Sequence, residues 1–182
     1  MGDAERIAYE SRLRVAVLAG DDVAWRVWYD GCAAPLEGYV RWRCGGLSDL
    51  TADVLQESWL IAVRRIRTFD PRAGSFRQWL RGIAANTIRN HLRKHRRSAG
   101  HPSEVGDPAS TPASDDDRPY RVATALAELK PAYERVLRAK YLDGRSVCAI
   151  ANKWSKSPKA VESLLTRARA AFKLAYEKQS DG

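Results

Sequence analysis

The chain has 182 residues, room for one mid-sized domain or two small ones, and 45% of them are hydrophobic, so it has the material for a buried core. Its 31 Lys and Arg against 22 Asp and Glu leave a net charge of +9, which favours polyanionic partners: nucleic acid, an anionic membrane or an acidic protein. No apolar run reaches the roughly 18 residues of a membrane span and no charged start leads into an apolar stretch, so no membrane insertion and a cytoplasmic location are expected.

Apolar residues recur at spacings of three and four, without the alternation of strands, so the expected fold is all-α. In chain order, helices are predicted over Asp3–Ala19, Asp22–Cys44 with a kink or restart at Pro35, Asp49–Thr68 and Ser75–Arg97. Asp49 and Ser75 are suitable N-caps, and "DPRAG" between the last two helices has the Pro and Gly of a tight connection. Residues 98–120, "SAGHPSEVGDPASTPASDDDRPY", are rich in Pro, Ser, Gly, Ala and Asp, the composition of a flexible linker. They carry an acidic excess of −4 between blocks of +6 (1–97) and +7 (121–182). The expected organisation is therefore two small helical domains, 1–97 and 121–182, joined by a flexible acidic linker. In the second domain Pro131 suits a helix first turn, Gly144 closes that helix, and two short helical runs flank "SKSP".

Three faces stand out. On the third helix, Asp53, Gln56, Glu57, Leu60 and Arg64 share one face, opposite Leu50, Val54, Leu55, Ile61, Ala62 and Ile66. That face is either a solvated flank with i to i+4 pairs, such as Glu57 with the turn of Arg64, or a docking surface for a basic partner with Leu60 as apolar anchor. On the fourth helix, Phe76, Trp79, Leu80, Ile83, Ala84, Thr87 and Ile88 form the inner arc, with Thr87 at the core edge. Asn86, Arg89, Arg93, Arg96 and Arg97 face outward, bordered by Asn90 and Lys94. Arginine binds phosphate whatever the sequence, whereas an amide can pair with a base edge. This arc fits a nucleic-acid reader or a solvated basic helix. The preceding loop, Phe69 to Phe76, is either a Pro-Gly turn or a pocket for an unstacked base.

"SVCAIANKWSKSPKAVESLLTRARAAFK", Ser146 to Lys173, has two apolar stripes separated by a short polar turn, the pattern of a helix-turn-helix. Lys159, Ser163, Thr166 and Arg167 would then face the major groove. No catalytic constellation is visible: there is no phosphate-cradling glycine loop and no nucleophile elbow. His91 and His95 stand at i and i+4 but lack a third ligand and sit among Arg93, Lys94 and Arg96, so they are assigned to the basic face. No metal and no cofactor are expected. Cys32, Cys44 and Cys148 are far apart and are read as reduced, semi-buried thiols.

The stretches "DLTADVLQESWLIAVRRIRTFDPRAGSFRQWLRGIAANTIRNHLRKHRR" and "ALAELKPAYERVLRAKYLDGRSVCAIANKWSKSPKAVESLLTRARAAFK" together resemble the extracytoplasmic-function (ECF) group of bacterial RNA polymerase sigma factors, in the sigma-70 family. The resemblance implies a non-enzymatic factor in transcription initiation, with region 2 over 1–97 and region 4 over 121–182. It implies that Asp53, Gln56 and Glu57, with Leu60 and Arg64 on the same face, dock on the clamp helices of the largest subunit of core polymerase. Phe69, Asp70, Arg72, Ser75, Phe76, Asn86, Arg89, Asn90, Arg93 and Arg97 would bind the non-template strand of the promoter −10 element, the loop holding a flipped base. Lys159, Ser163, Thr166 and Arg167 would read the −35 element, the C-terminal domain also meeting the polymerase flap. An anti-sigma protein covering the same surfaces is a further partner that the family often has. Two features depart from the family: Glu162 or Leu164 stands where a base is frequent, and Ser155 and Lys156 replace the usual glycine in the turn. The alternative is a free-standing helix-turn-helix regulator, which would not require the Asp53, Gln56, Glu57 face.

Overall fold

The computed structural model describes residues 2–99 and 118–179. These form eight α-helices and no strand: α1 (Asp3–Leu18), α2 (Asp22–Arg43), α3 (Ser48–Arg65), α4 (Phe76–Ala99), α5 (Arg118–Glu128), α6 (Pro131–Leu137), α7 (Val147–Lys153) and α8 (Pro158–Glu177). The all-α expectation holds. The expected linker, with its acid run Asp115 to Asp117, lies outside the described residues except at its two ends, which extend α4 and begin α5. Two compact units result: Met1–Arg41 with Ser48–His91, and Trp42–Leu47 with the described chain from Leu92 onward.

In the first unit each long helix buries one stripe at three and four spacing. α2 contributes Trp28, Cys32, Leu36, Tyr39 and Val40; α3 contributes Leu50, Val54, Ser58 and Ala62; α4 contributes Phe76, Leu80, Ala84, Thr87 and Ile88. Full burial of a large apolar side chain is worth roughly 1.5–3 kcal/mol, so these stripes supply the drive that holds the helices together. Ser58 is buried without penalty because its Oγ donates to the Val54 carbonyl at 2.6 Å. Thr87 is also fully buried, as its place at the edge of the apolar arc suggests.

Three local expectations change. α2 does not restart at Pro35 but runs through it as one helix, so of the expected kink or restart the restart is ruled out. Proline has no N–H to offer the Gly31 carbonyl, and Arg77 of α4 takes its place, Nη2 donating to that oxygen at 3.0 Å. Asp49 is not the cap of α3, which begins one residue earlier; its carboxylate instead lies in the first turn, where the helix dipole favours it. The α-helical part of α3 ends at Arg65, and Ile66–Thr68 tightens into a 3-10 turn that delivers Phe69 into the core.

In the second unit, Pro131 stands at the first position of α6. The helix continues as a π-helical segment, Arg138–Leu142, and stops where Gly144 takes φ +61°, a left-handed conformation that favours glycine. Val136, Leu137, Ile150, Ala151, Val161, Leu165 and Ala168 form the core, with Trp42 packed against it. Arg43 is 1% exposed; its Nη1 donates to the Leu126 carbonyl at 2.7 Å and lies 3.6 Å from a Glu134 carboxylate oxygen. Those partners compensate a buried charge that alone would be costly.

The thiols are not uniformly half-buried: Cys32 and Cys44 are buried, whereas Cys148 is exposed. Burial pushes the Cys32 thiol up, only partly opposed by the charge and hydrogen bond of Arg77. A disulfide reagent added to the native protein is therefore expected to titrate Cys148 quickly and the other two thiols only after denaturation. Rapid reaction of all three cysteines in the native state would contradict this packing.

Candidate functional site

α3 and α4 carry their polar faces on the outside of the first unit. On α3, Asp53, Gln56, Leu60 and Arg64 are exposed, Leu60 to 48%. Glu57 shares their face but not their freedom. Its Oε2 lies 2.8 Å from Nε2 of His91 on α4, so it pairs with the neighbouring helix, not with the turn of Arg64. His91 accordingly leaves the basic arc to which its i, i+4 spacing with His95 assigned it. The pair joins the helix with the acid and amide positions to the helix with the arginines.

Beside Gln56 and Leu60 opens a cleft of about 740 Å³ between α2 and α3, walled by Trp25, Tyr29, Trp59 and Val63. Tyr29 and Trp59 sit 4.9 Å apart by ring centroids, and Tyr29 is 52% exposed. Sequence reasoning missed both aromatics. The signal was present in Trp59 lying one position before Leu60, but a lone tryptophan on an amphipathic helix reads first as core.

The loop between α3 and α4 has buried ends, and between them Pro71 is also buried while its neighbours on either side reach solvent. Phe69 and Phe76, expected at a DNA surface, are 2% and 1% exposed. They lie in an aromatic cluster where Phe76 stacks on Trp28 at 4.2 Å and 6°, and Phe69 meets both rings edge-on at 5.5 and 5.8 Å. Direct DNA contact from these two rings is thereby corrected to a role in holding the loop. Between them, Asp70 and Arg72 are exposed and Ser75 is half-buried. Asp70 Oδ1 accepts from the Arg72 N–H at 2.9 Å and its carbonyl accepts from the Ala73 N–H at 3.1 Å, a side-chain and a backbone turn superimposed. Ser75 is the cap that its sequence suggests: Ser75 Oγ accepts from the Gln78 N–H, and Gln78 Oε1 accepts from the Ser75 N–H at 3.1 Å, a reciprocal capping box.

Along α4, Asn86, Arg89, Asn90, Arg93 and Arg97 are all exposed, with an Arg89 guanidinium N–H donating to the Asn86 side-chain oxygen. Of the expected outward arc, Asn86, Arg89 and Asn90 are thus exposed in the first unit, and Arg93 and Arg97 in the second. In general a guanidinium can bind phosphate and a side-chain amide can pair with a base edge.

In the second unit α7 and α8 form the expected helix-turn-helix. Val161, Leu165 and Ala168 are buried, whereas Lys159, Ser163, Thr166 and Arg167 are exposed on the outer face of α8. The turn keeps its geometry without glycine: Ser155 takes φ 51°, the Lys156 N–H bonds the Ala151 carbonyl at 2.9 Å, and the Ser155 N–H bonds the Asn152 carbonyl at 3.3 Å. That is a Schellman closure with serine in the left-handed position, at a cost of about 1–2 kcal/mol relative to ordinary backbone. Ser146 and Ser157 cap the two helices, each Oγ accepting from the backbone N–H three residues on, at 3.1 and 3.2 Å.

Comparison with known proteins follows this division. The family model described as "Sigma-70 region 2" matches residues 29–98, and "Sigma-70, region 4" matches residues 120–172. The chain is 28% identical over 157 residues to the ECF RNA polymerase sigma factor BldN of Streptomyces coelicolor, covering 82% of this chain and 59% of BldN, so it spans less than two thirds of that relative. It is 30% identical over 164 residues to the ECF RNA polymerase sigma factor SigL of Mycobacterium tuberculosis, covering 87% of this chain and 92% of SigL. Among solved structures, the sigma factor RpoE in complex with the anti-sigma factor NepR from Bartonella quintana aligns with a TM-score of 0.48 at 17% identity, covering 84% of this chain and 96% of that one.

Because Ser157 sets the start of α8, Ser157→Ala is expected to lower the stability of the second unit by about 1 kcal/mol. Urea unfolding followed by a signal local to Trp154 measures this; an unshifted midpoint would show that the cap does not hold the helix.

Proposed function

The chain belongs to the ECF group of the sigma-70 family of RNA polymerase sigma factors, and from that membership we propose that it initiates transcription by bringing core polymerase to promoters. The observation that carries the reading is the pairing of region 2 and region 4 in one chain, each with an exposed polar face on the helix where its task requires one. The factor works in the cytoplasm and performs no catalysis of its own; bond formation belongs to the polymerase.

On α3, Asp53 and Gln56 supply polar contacts and Leu60, beside the aromatic cleft, an apolar anchor for the clamp helices of the largest subunit. Buried aromatic and aliphatic anchors inside a polar rim are the usual source of interface affinity. Glu57 serves that face from a fixed position, since His91 holds its carboxylate. On α4 and its loop, Asp70, Arg72 and Ser75 frame a base pocket, while Asn86, Arg89, Asn90, Arg93 and Arg97 follow the single strand of the opened −10 element. Lys159, Ser163, Thr166 and Arg167 on α8 read the −35 element in the major groove, the unit also meeting the polymerase flap. An anti-sigma protein, the kind of partner RpoE has in its solved complex, would act by covering these surfaces.

Run-off transcription with core polymerase over a promoter library is expected to yield discrete products only when the chain is added. A product pattern independent of the chain would sink the proposal, and tight operator-like binding without polymerase would favour a free-standing regulator. The double variant Asp53→Ala, Gln56→Ala is expected to weaken association with core polymerase about tenfold, the loss of roughly 1.4 kcal/mol of interface contact. Binding of the full chain to a −35 duplex should be unchanged by it; equal loss in both assays would mean that the variant is damaged globally.

A further inference from the structure

α1 lies outside the residues matched as region 2, yet three of its side chains reach the backbone of the loop that carries the proposed base pocket. Arg14 Nη2 donates to the Arg67 carbonyl at 2.9 Å, Arg6 Nη1 donates to the Pro71 carbonyl at 3.0 Å, and Glu10 Oε1 accepts from the Phe76 N–H at 3.0 Å. Arg6, Glu10 and Arg14 are spaced i, i+4, i+8, so one face of α1 meets the loop before, within and after its turn. Glu10 is the most telling of the three. A glutamate on an amphipathic helix is ordinarily solvated, but Glu10 is 8% exposed. Its other oxygen pairs with Arg6 at 3.0 Å, and Arg6 is the residue that holds Pro71. Its Oε1 meets the first N–H of α4, an unpaired donor at the positive end of the helix dipole, where a carboxylate is stabilised.

We propose that α1 is the positioning element of the −10 loop, with Arg6, Glu10 and Arg14 fixing the path of its backbone so that the base pocket is formed before DNA arrives. The inference rests on the −10 reading of the loop given above. All three contacts are made to backbone groups, so none of them occupies the exposed side chains of Asp70 and Arg72. Free of these ties, a loop containing Gly74 and Ala73 would have to lose its conformational freedom on binding, and the preformed loop avoids that loss.

The test has two arms. In the DNA-free full chain, Glu10→Ala is expected to speed hydrogen exchange at the Phe76 amide about tenfold, the effect of losing one charge-assisted bond, with α8 amides unchanged. With core polymerase present, affinity is measured for non-template −10 oligonucleotides in which each base in turn is replaced by an abasic site, taken from a promoter that the wild-type chain opens. The wild type should show one strongly base-dependent position. Arg6→Ala, whose side chain is already partly exposed, and Glu10→Ala should shrink that dependence several-fold, whereas Glu10→Gln, which retains an oxygen for the Phe76 N–H, should keep most of it. Binding to a −35 duplex should not move. A purely structural role would lower thermal stability and all affinities together while leaving the base dependence intact, and that result overturns the proposal. A wild-type scan with no sensitive position removes the −10 reading itself; a sensitive position equally sharp in the variants removes the role of α1 alone.

Discussion

The stack of Trp28 on Phe76, with Phe69 edge-on to both, is the contact on which the first unit depends. Phe69 is the residue at which the chain leaves the turn after α3, and Phe76 is the residue at which α4 begins. Both ends of the intervening loop are thus pinned to one indole of α2. A loop held at its ends by buried aromatics has little choice but to present its middle to solvent, because the polar backbone there must find water or local partners. The Asx turn of Asp70 and the capping box of Ser75 and Gln78 supply those partners. The same rings fix the start of α4, and with it the direction in which Asn86 and Arg89 point.

From that anchor the two proposed tasks of the first unit become linked. α3 offers the acid and amide face and α4 the basic one, and Glu57 with His91 ties them through a contact in which neither side chain is fully exposed. A part-exposed pair of this kind contributes modestly to stability. Its consequence is orientational: a carboxylate that would otherwise sample many rotamers on a helix surface is held where a partner docking on α3 can meet it.

Much of this was legible in the sequence, because helix identity follows from apolar periodicity and the residues that define an outward arc follow from the same wheel. Asn86, Arg89 and Arg93 lie where the wheel puts them, as do Lys159, Ser163, Thr166 and Arg167 on α8. What escaped had one physical origin: periodicity ranks residues by face, but says nothing of which partner an unusual residue finds in space. Phe76 stands on the inner arc of its helix by periodicity, yet the resemblance also placed it and Phe69 at the DNA, and only the contact with the indole of Trp28 decides for the core. Glu10 reads as a solvated acid until α4 brings an unpaired N–H to it. Pro35 leaves the Gly31 carbonyl without its helical donor, and nothing in the local sequence shows that Arg77, 46 residues away, supplies one.

The recognition helix illustrates how the free chain can hold a reading surface in reserve. Thr166 Oγ1 donates to the Glu162 carbonyl at 3.1 Å and Arg167 Nε donates to the Ser163 carbonyl at 3.3 Å. Both bonds are solvent-exposed and each contributes at most about 1 kcal/mol, so they order the side chains without trapping them. On the proposed −35 reading, DNA must offer more than these local bonds to redirect Thr166 and Arg167 into the groove. Glu162, facing the same solvent, adds repulsion toward phosphate. On the proposed −35 reading these terms weaken the grip of α8 on duplex, and a second contact made by the same chain on the same promoter would raise the local concentration of the helix at its site.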